Sequence, residues 1–262
     1  MVQQFSYLKY KMSIDRSFIS TSRLFSEEKY EKLCNNRVGI IGLGGVGSWA
    51  AEALARSGLK KLVLVDFDHI SESNINRQVQ ATVESLGMSK TKALSKRLFT
   101  INPRIEIKIY DGFFSAKNRN TIFDEQHTDF WIDACDDLSA KLVLINSFKK
   151  KEIKKNVLIC GAAGGKTDPF TIIHTDLSKT EQDPLLSKLR YTLRKNHNFS
   201  RAGKMDIPVL FSNQSPKKTN LNKSSRISCL GYGSIVTVTA TFGMKACFIA
   251  LSELMRLKSI TK

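Results

Sequence analysis

No two of the five cysteines, at 34, 135, 160, 229 and 247, stand as a CxxC pair. An odd set without close pairs excludes a disulfide framework and a zinc ribbon, and it fits a reducing cytoplasm. The opening residues, MVQQFSYLKYKMSIDRSF, lack the continuous apolar segment of a signal peptide, so export is not expected. Long apolar runs are scarce throughout. The one stretch near membrane length, 235–254, is interrupted by Lys245 and carries threonines. It reads as a buried terminal helix, with weak peripheral membrane contact as the lesser expectation. Acid is short as well: 24 Asp+Glu face 41 Lys+Arg, a net charge of +17. That excess draws polyanions, nucleic acid first, although solvated lysines from a compositional bias would give the same count.

What is present is enough for a sizeable core. With 262 residues and 42% hydrophobic content, the chain is near the size at which single cores stop growing, so one elaborated domain is expected. From Arg37 onward, short Val- and Ile-rich runs (RVGIIGL, KLVLVDF, RIEIKIY, FWIDA, NVLICGA) are separated by segments long enough for helices. The spacing predicts helices over 46–57, 89–101 and 137–151. The expected fold is a Rossmann-like doubly wound α/β sheet, mainly parallel, with helices on both faces and a C-terminal extension ending in a helix. The expected divisions are an N-terminal arm and helix (1–36), a nucleotide-binding core (37–165) and a substrate-facing extension of the same domain (166–262). Over 195–226 no steady period is visible, which reads as a long basic loop.

Gly42, Gly44 and Gly47 form a G-x-G-x-x-G between a predicted strand and a predicted helix, with Gly45 beside them. The first glycine permits a tight turn, the second lets backbone approach phosphate, and the third lets helix pack on strand, while the helix N-terminus presents amides to anionic oxygen. Asp66, at the end of the second strand, can accept hydrogen bonds from ribose hydroxyls. To this point NAD fits as well as ATP. A triphosphate, however, also needs cations and a metal where pyrophosphate departs. Arg77 and Lys90 could supply the cations and Asp136 a magnesium ligand; as ordinary surface charges and a helix cap, a role Asp137 could share, the same residues would need no ligand.

Asp66, the block from Asn74 to Gln78, Lys90, and Asp133 with Asp136 resemble, in this order, the superfamily of ubiquitin-activating enzymes and their bacterial relatives in thiamine and molybdopterin synthesis. The resemblance implies adenylation of a carboxylate by ATP with Mg2+. Its implied nucleotide set is Gly42, Gly44, Gly45, Gly47, Asp66, Asp68, Asn74, Arg77, Gln78, Lys90 and Asp136. Asp66 would hold the ribose, Asn74 and Arg77 the phosphates, Lys90 the phosphate tail and Asp136 the metal, with Arg77 reaching across a homodimer interface. Arg77, Lys90 and Asp136 are the implied catalytic residues, and a monovalent cation, Na+ or K+, is a further expectation.

Within that superfamily, SRLF at 22–25, GSWAAEALARSG at 47–58, GAAGGKTDP at 161–169, DLSKTEQDPL at 176–185 and VTATFG at 238–243 look like the tRNA threonylcarbamoyladenosine dehydratases. The likeness extends over about residues 16–255. It implies ATP-dependent cyclisation of N6-threonylcarbamoyladenosine at position 37 of tRNA anticodon loops, and association with a cysteine-desulfurase and sulfur-acceptor system. The alternative branch activates a ubiquitin-like sulfur carrier and commonly holds zinc through paired CxxC motifs, which this chain lacks, so no stable zinc site is expected. Cys229, beside a predicted helix start, is the candidate thiol nucleophile; a small residue packed near a glycine turn is the plainer reading. Cys135, among acids, should be a poor thiolate. For RNA, Lys188, Arg190, Arg194, Lys195, Arg201, Lys204, Lys217, Lys218, Lys223 and Arg226 flank Tyr191, His197 and Phe199, a mixture suited to phosphate binding with base stacking.

Overall fold

A computed structural model describes residues 16–124, 128–149, 156–217 and 232–257. After two short N-terminal helices, α1 (Ile19–Ser22) and α2 (Glu27–Cys34), the chain alternates strand and helix. The order is β1 (Arg37–Ile41), α3 (Gly47–Arg56), β2 (Lys61–Asp66), α4 (Lys90–Ile101), β3 (Glu106–Asp111), α5 (Arg119–Asp124), β4 (Phe130–Asp133), α6 (Leu138–Lys149) and β5 (Val157–Cys160). A return follows through β6 (Ile172–Asp176), α7 (Pro184–Asn196) and β7 (Pro208–Ser212), and the described chain ends in α8 (Val236–Leu257). The seven strands lie in the order β3-β2-β1-β4-β5-β7-β6, all parallel except β6, which pairs antiparallel with β7 at the edge. This is the doubly wound α/β sheet expected from the alternation.

Both faces of the sheet are covered, so its central strands are apolar at successive positions rather than alternate ones. Ile40, Leu62 and Leu64 turn to a core shared with α3, α4 and α8, whereas Ile41, Val63 and Val65 turn to one shared with α6 and α7. Gly39 interrupts β1 for a steric reason: a Cβ there would lie 2.3 Å from the Trp131 ring, which fills the second core. The terminal helix belongs to the first core through Val238, Phe242, Ala246, Ile249, Ala250 and Leu254. It is long and apolar enough to cross a membrane, with mean hydropathy 1.3, yet half of that stretch is buried inside the fold. Its approach to α3 is very close. A Cβ at Gly243 would lie 2.6 Å from Trp49 Cβ and 2.7 Å from the Val46 carbonyl oxygen.

The structure differs from the sequence expectation over 195–226. Part of that span, Pro208–Ser212, is a buried central strand rather than loop. Five residues between basic, polar stretches are too short to show a period, and Pro208 marks the strand's first residue, where proline is tolerated. Helix α7 also went unpredicted, although Asp183 caps it by accepting the Leu186 amide at 3.0 Å and Pro184 occupies its first turn. An Asp-Pro start of this kind was readable in the sequence.

Candidate nucleotide-binding and active site

Strand order reverses between β1 and β4, so a crevice opens beyond their carboxyl ends. The glycine turn enters this crevice from β1. Gly42 takes φ +86, a left-handed conformation that suits glycine. Its missing Cβ also matters, because one would lie 2.6 Å from the Cys135 backbone nitrogen on the loop after β4. At Gly47 a Cβ would sit 1.9 Å from the Gly42 carbonyl oxygen, so the helix can start against the turn only without a side chain. Gly45 is backed by Thr239 of α8, 2.9 Å from where a Cβ would stand. Gly44 faces open space within 4 Å, which leaves room for backbone to meet an anionic ligand.

Asp66 fastens the turn to the next strand. Its carboxylate accepts the Leu43 amide at 2.5 Å and the Asp68 amide at 2.8 Å. Burial pushes its pKa up, outweighing the Lys90 charge and the two amides that favour the carboxylate. Lys90, almost wholly buried at the first position of α4, pairs with Asp68 at 2.7 Å. Leu43, Asp66, Asp68 and Lys90 thus form one continuous chain of contacts. The cap of α4 falls to Ser89, whose hydroxyl accepts the Lys92 amide at 3.4 Å.

The Asn74–Gln78 block follows on the same side. Asn74 is buried, and its side-chain oxygen accepts the Ser71 amide at 3.2 Å, closing a one-turn capping box. The Arg77 guanidinium donates to the Ser73 carbonyl at 2.5 Å and to Asn76 Oδ1 at 2.9 Å, within its own segment. Its carbonyl accepts the Trp49 indole N–H at 3.0 Å, which ties the block to α3. Buried Gln78 is reached by Gln80 Nε2 at 3.4 Å. Gln80, not singled out by sequence, also donates to the Leu43 carbonyl at 2.9 Å, while its Oε1 is buried with no hydrogen-bond partner among the described residues. Gln80 stands in a turn closed by the Ala81 amide on the Gln78 carbonyl at 3.1 Å, so no strand or helix period marked it in the sequence.

On the far wall stands the loop after β4. Asp133 is buried and pairs with Lys141 of α6 at 3.1 Å. The same ammonium donates to the Cys160 carbonyl at 2.9 Å. Although burial opposes the charge, Asp133 holds Lys141 above the ordinary lysine range. The other Asp133 oxygen accepts the Cys135 amide at 3.2 Å and its thiol at 2.9 Å. Burial first and the Asp133 charge second hold the Cys135 thiol well above the usual thiol range, so it is a poor thiolate, as expected. The helix cap falls to Asp137, whose carboxylate accepts the Ser139 and Ala140 amides at 3.2 and 2.9 Å. Asp136 is exposed on this loop, beside the residues that press on Gly42. Among the described residues no three His, Cys, Asp or Glu side chains gather to hold a metal. Cys229 lies outside the described residues, as do Lys218, Lys223 and Arg226.

The sequence profile of the ThiF family matches residues 18–257. The chain belongs to the ThiF family. Among curated relatives, it is 40% identical over 252 residues to the tRNA threonylcarbamoyladenosine dehydratase of Haemophilus influenzae, covering 94% of this chain and 95% of that one. The crystal structure of the Escherichia coli tRNA N6-threonylcarbamoyladenosine dehydratase in complex with ATP matches with a TM-score of 0.85 and 32% identity, over 95% of this chain and 97% of that one. The same enzyme in complex with AMP gives 0.84 and 33%, over 94% and 96%. The matched span of the ThiF profile includes the glycine turn, the Asp68–Lys90 pair, the Asn74–Gln78 block and the Asp133 loop, all drawn to one edge of the sheet.

Proposed function

We propose that this chain dehydrates N6-threonylcarbamoyladenosine at position 37 of tRNA, using ATP to adenylate the threonine carboxylate. The observation that carries the reading is the glycine turn, open at Gly44 and locked to Asp66, facing the acidic loop of Asp136 across the switch point. A carboxylate is a poor electrophile. It attacks the α-phosphorus of ATP, the bond to pyrophosphate breaks, and a mixed anhydride with AMP forms. The neighbouring ureido group, losing a proton, then attacks the activated carbonyl and AMP departs. ATP becomes AMP and pyrophosphate, and the nucleoside loses one water. Holding the two groups together is most of the catalysis, so no protein nucleophile is required.

In this reading Asp66 accepts the ribose hydroxyls, while the turn amides, Asn74, Arg77 and Lys90 bind the phosphates, with Gly42, Gly45, Gly47, Asp68 and Gln78 shaping their seat. Magnesium fits as a partner of Asp136 and the nucleotide's own oxygens, since Mg2+ sites commonly combine one or two carboxylates with substrate phosphates. When bound, it neutralises charge on the departing pyrophosphate. A homodimer in which Arg77 crosses the interface, a monovalent cation near the nucleotide, a sulfur-relay partner and a reactive Cys229 rest on the family resemblance alone. A cytoplasmic location, with at most peripheral membrane contact through α8, fits the four cysteines that are free among the described residues, and the 37–165 and 166–262 divisions remain part of the same proposal.

The test offers the protein ATP, Mg2+ and either tRNA bearing threonylcarbamoyladenosine or a sulfur-carrier protein. AMP release with the tRNA, and loss of one water from the nucleoside by mass, is the expected result. Asp136→Ala should lower the rate by at least a hundredfold, as removal of a group that stabilises developing charge does. AMP release with the carrier protein alone would overturn the reading in favour of sulfur transfer.

A further inference from the structure

Away from the nucleotide crevice, a cleft of about 500 Å³ is lined by Ser187, Arg190, Tyr191, Arg194, Lys195 and Arg201. Five of the six stand on α7 three or four positions apart and therefore share one side of the helix. Leu186, Leu189 and Leu193 bury the other side. Four cations and no acid line the cleft. None of the four pairs with a carboxylate among the described residues, whereas Arg37, Arg56, Lys90, Arg97 and Lys141 each do.

Two of these guanidinium groups are fixed in place by neutral oxygens. Arg190 donates to the Leu177 and Thr180 carbonyls at 3.2 and 2.8 Å and to Thr180 Oγ1 at 2.5 Å. Arg194 donates to the Ser200 carbonyl at 3.1 Å. Such bonds order the side chains without cancelling their charge, leaving donors beyond those used here for an outside anion. Tyr191 is 62% exposed, and Lys195 Nζ lies 5.5 Å from its ring centroid, so an aromatic face and a cation are offered together. A solvated basic helix end accounts for Arg194 and Lys195. It does not account for Arg190 earlier in the helix, for Arg201 beyond it, or for the bare ring between them.

Position supplies the partner. The Asp183 carboxylate, at the start of α7, accepts the Ala162 amide at 2.8 Å just past the carboxyl end of β5, on the edge of the sheet where the nucleotide crevice opens. From Ser187 to Lys195 the cleft side then runs roughly 12 Å along the helix, away from that edge. We propose that this cleft grips the phosphodiester backbone of the substrate tRNA as it leaves the loop whose adenosine enters the crevice, with Tyr191 stacking on one unpaired base. The proposal rests on the dehydratase reading above. Backbone contacts of this type carry affinity and register rather than sequence information.

The test measures tRNA binding by fluorescence anisotropy between about 50 and 200 mM salt, without turnover, for the parent, Lys195→Gln/Arg201→Gln and Tyr191→Ala. For the double variant we expect roughly tenfold weaker binding at the lower salt, equally for modified and unmodified tRNA, and a log–log salt slope shallower by about two. Tyr191→Ala should weaken binding severalfold with the slope unchanged. Binding of a fluorescent ATP analogue without tRNA should match the parent in both variants, which controls for folding. Parent-like affinity and slope in the double variant would overturn the proposal. So would loss of binding to anionic lipid vesicles with tRNA binding intact, because the cleft would then face a membrane. If the parent binds tRNA through this cleft yet releases no AMP with the modified tRNA, the dehydratase reading fails and the surface assignment stands.

Discussion

Lys141, in the nucleotide half, and Lys166, in the C-terminal third, are both buried, at 0% and 2% exposure, but they are compensated differently. Lys141 meets a full negative charge, Asp133, at 3.1 Å. Lys166 meets dipoles: the Gln182 and Ser212 carbonyls at 2.9 and 3.4 Å, and the Gln214 carbonyl closer still. Burial pulls both pKa values down, and the Asp133 charge is what moves them apart. Lys141 is held above the ordinary range by Asp133 in spite of burial, whereas Lys166 is pulled below it by burial, with Asp183 opposing only in part. A charge pair beside the nucleotide loop fixes geometry and is costly to break, whereas a carbonyl cage joins three backbone segments and loses less when the charge is removed.

The largest expected effect is for Lys141→Met, which strands the Asp133 carboxylate in a dry site. It should lower stability by about 3–5 kcal/mol in urea unfolding, and Asp133→Leu in the same chain should restore most of the loss. A single-variant cost near 1 kcal/mol, no more than a neutral hydrogen bond is worth, would break the comparison. Next, Lys166→Met should cost about 1–3 kcal/mol, since it leaves carbonyls unpaired but no charge. The pH dependences sharpen the contrast. Lys141's contribution is fully present below the ordinary lysine range and is lost as pH rises through its raised folded value. The penalty for protonated Lys166 is fully present below its lowered folded value and is relieved as pH rises toward the ordinary range. The stability gap between parent and variant should therefore shrink with alkaline pH for Lys141→Met and widen for Lys166→Met. Smallest of all, Lys245→Gln removes one bond from an exposed lysine to the Ile172 carbonyl at 2.7 Å and should cost about 0.5–1.5 kcal/mol.

The sequence made the nucleotide half easy to read because each signal there is local. Strands β1, β2, β4 and β5 each carry a short buried run, apolar apart from Gly39 and the charged residues at the strand ends, and the glycines fall at a strand-to-helix junction. Asp66 ends β2, Asp68 follows it and Lys90 opens α4, and the structure links them in one chain of contacts. Lys141 escaped notice because a lysine in the helix of 138–149 reads as solvated, and only packing under β5 shows it reaching the Cys160 carbonyl. Arg77 was legible as a residue, but its guanidinium bonds back to Ser73 and Asn76, a conformation that no motif encodes. In the last third the determinants are non-local. β7 is short, Lys166 is caged by residues 16, 46 and 48 positions away, and the antiparallel strand β6 joins the sheet only by pairing with β7.

Gly45 rests on Thr239, and Gly243 lies against Trp49. In order of synthesis, the phosphate turn leaves the ribosome well before the helix that backs it. A nascent chain that stops short of Val236 already holds every glycine of the turn, Asp66, Lys90 and Asp136, but the wall behind the turn is missing. That wall is therefore completed late, when the last described helix docks, and partial chains released early carry the glycine turn without its support.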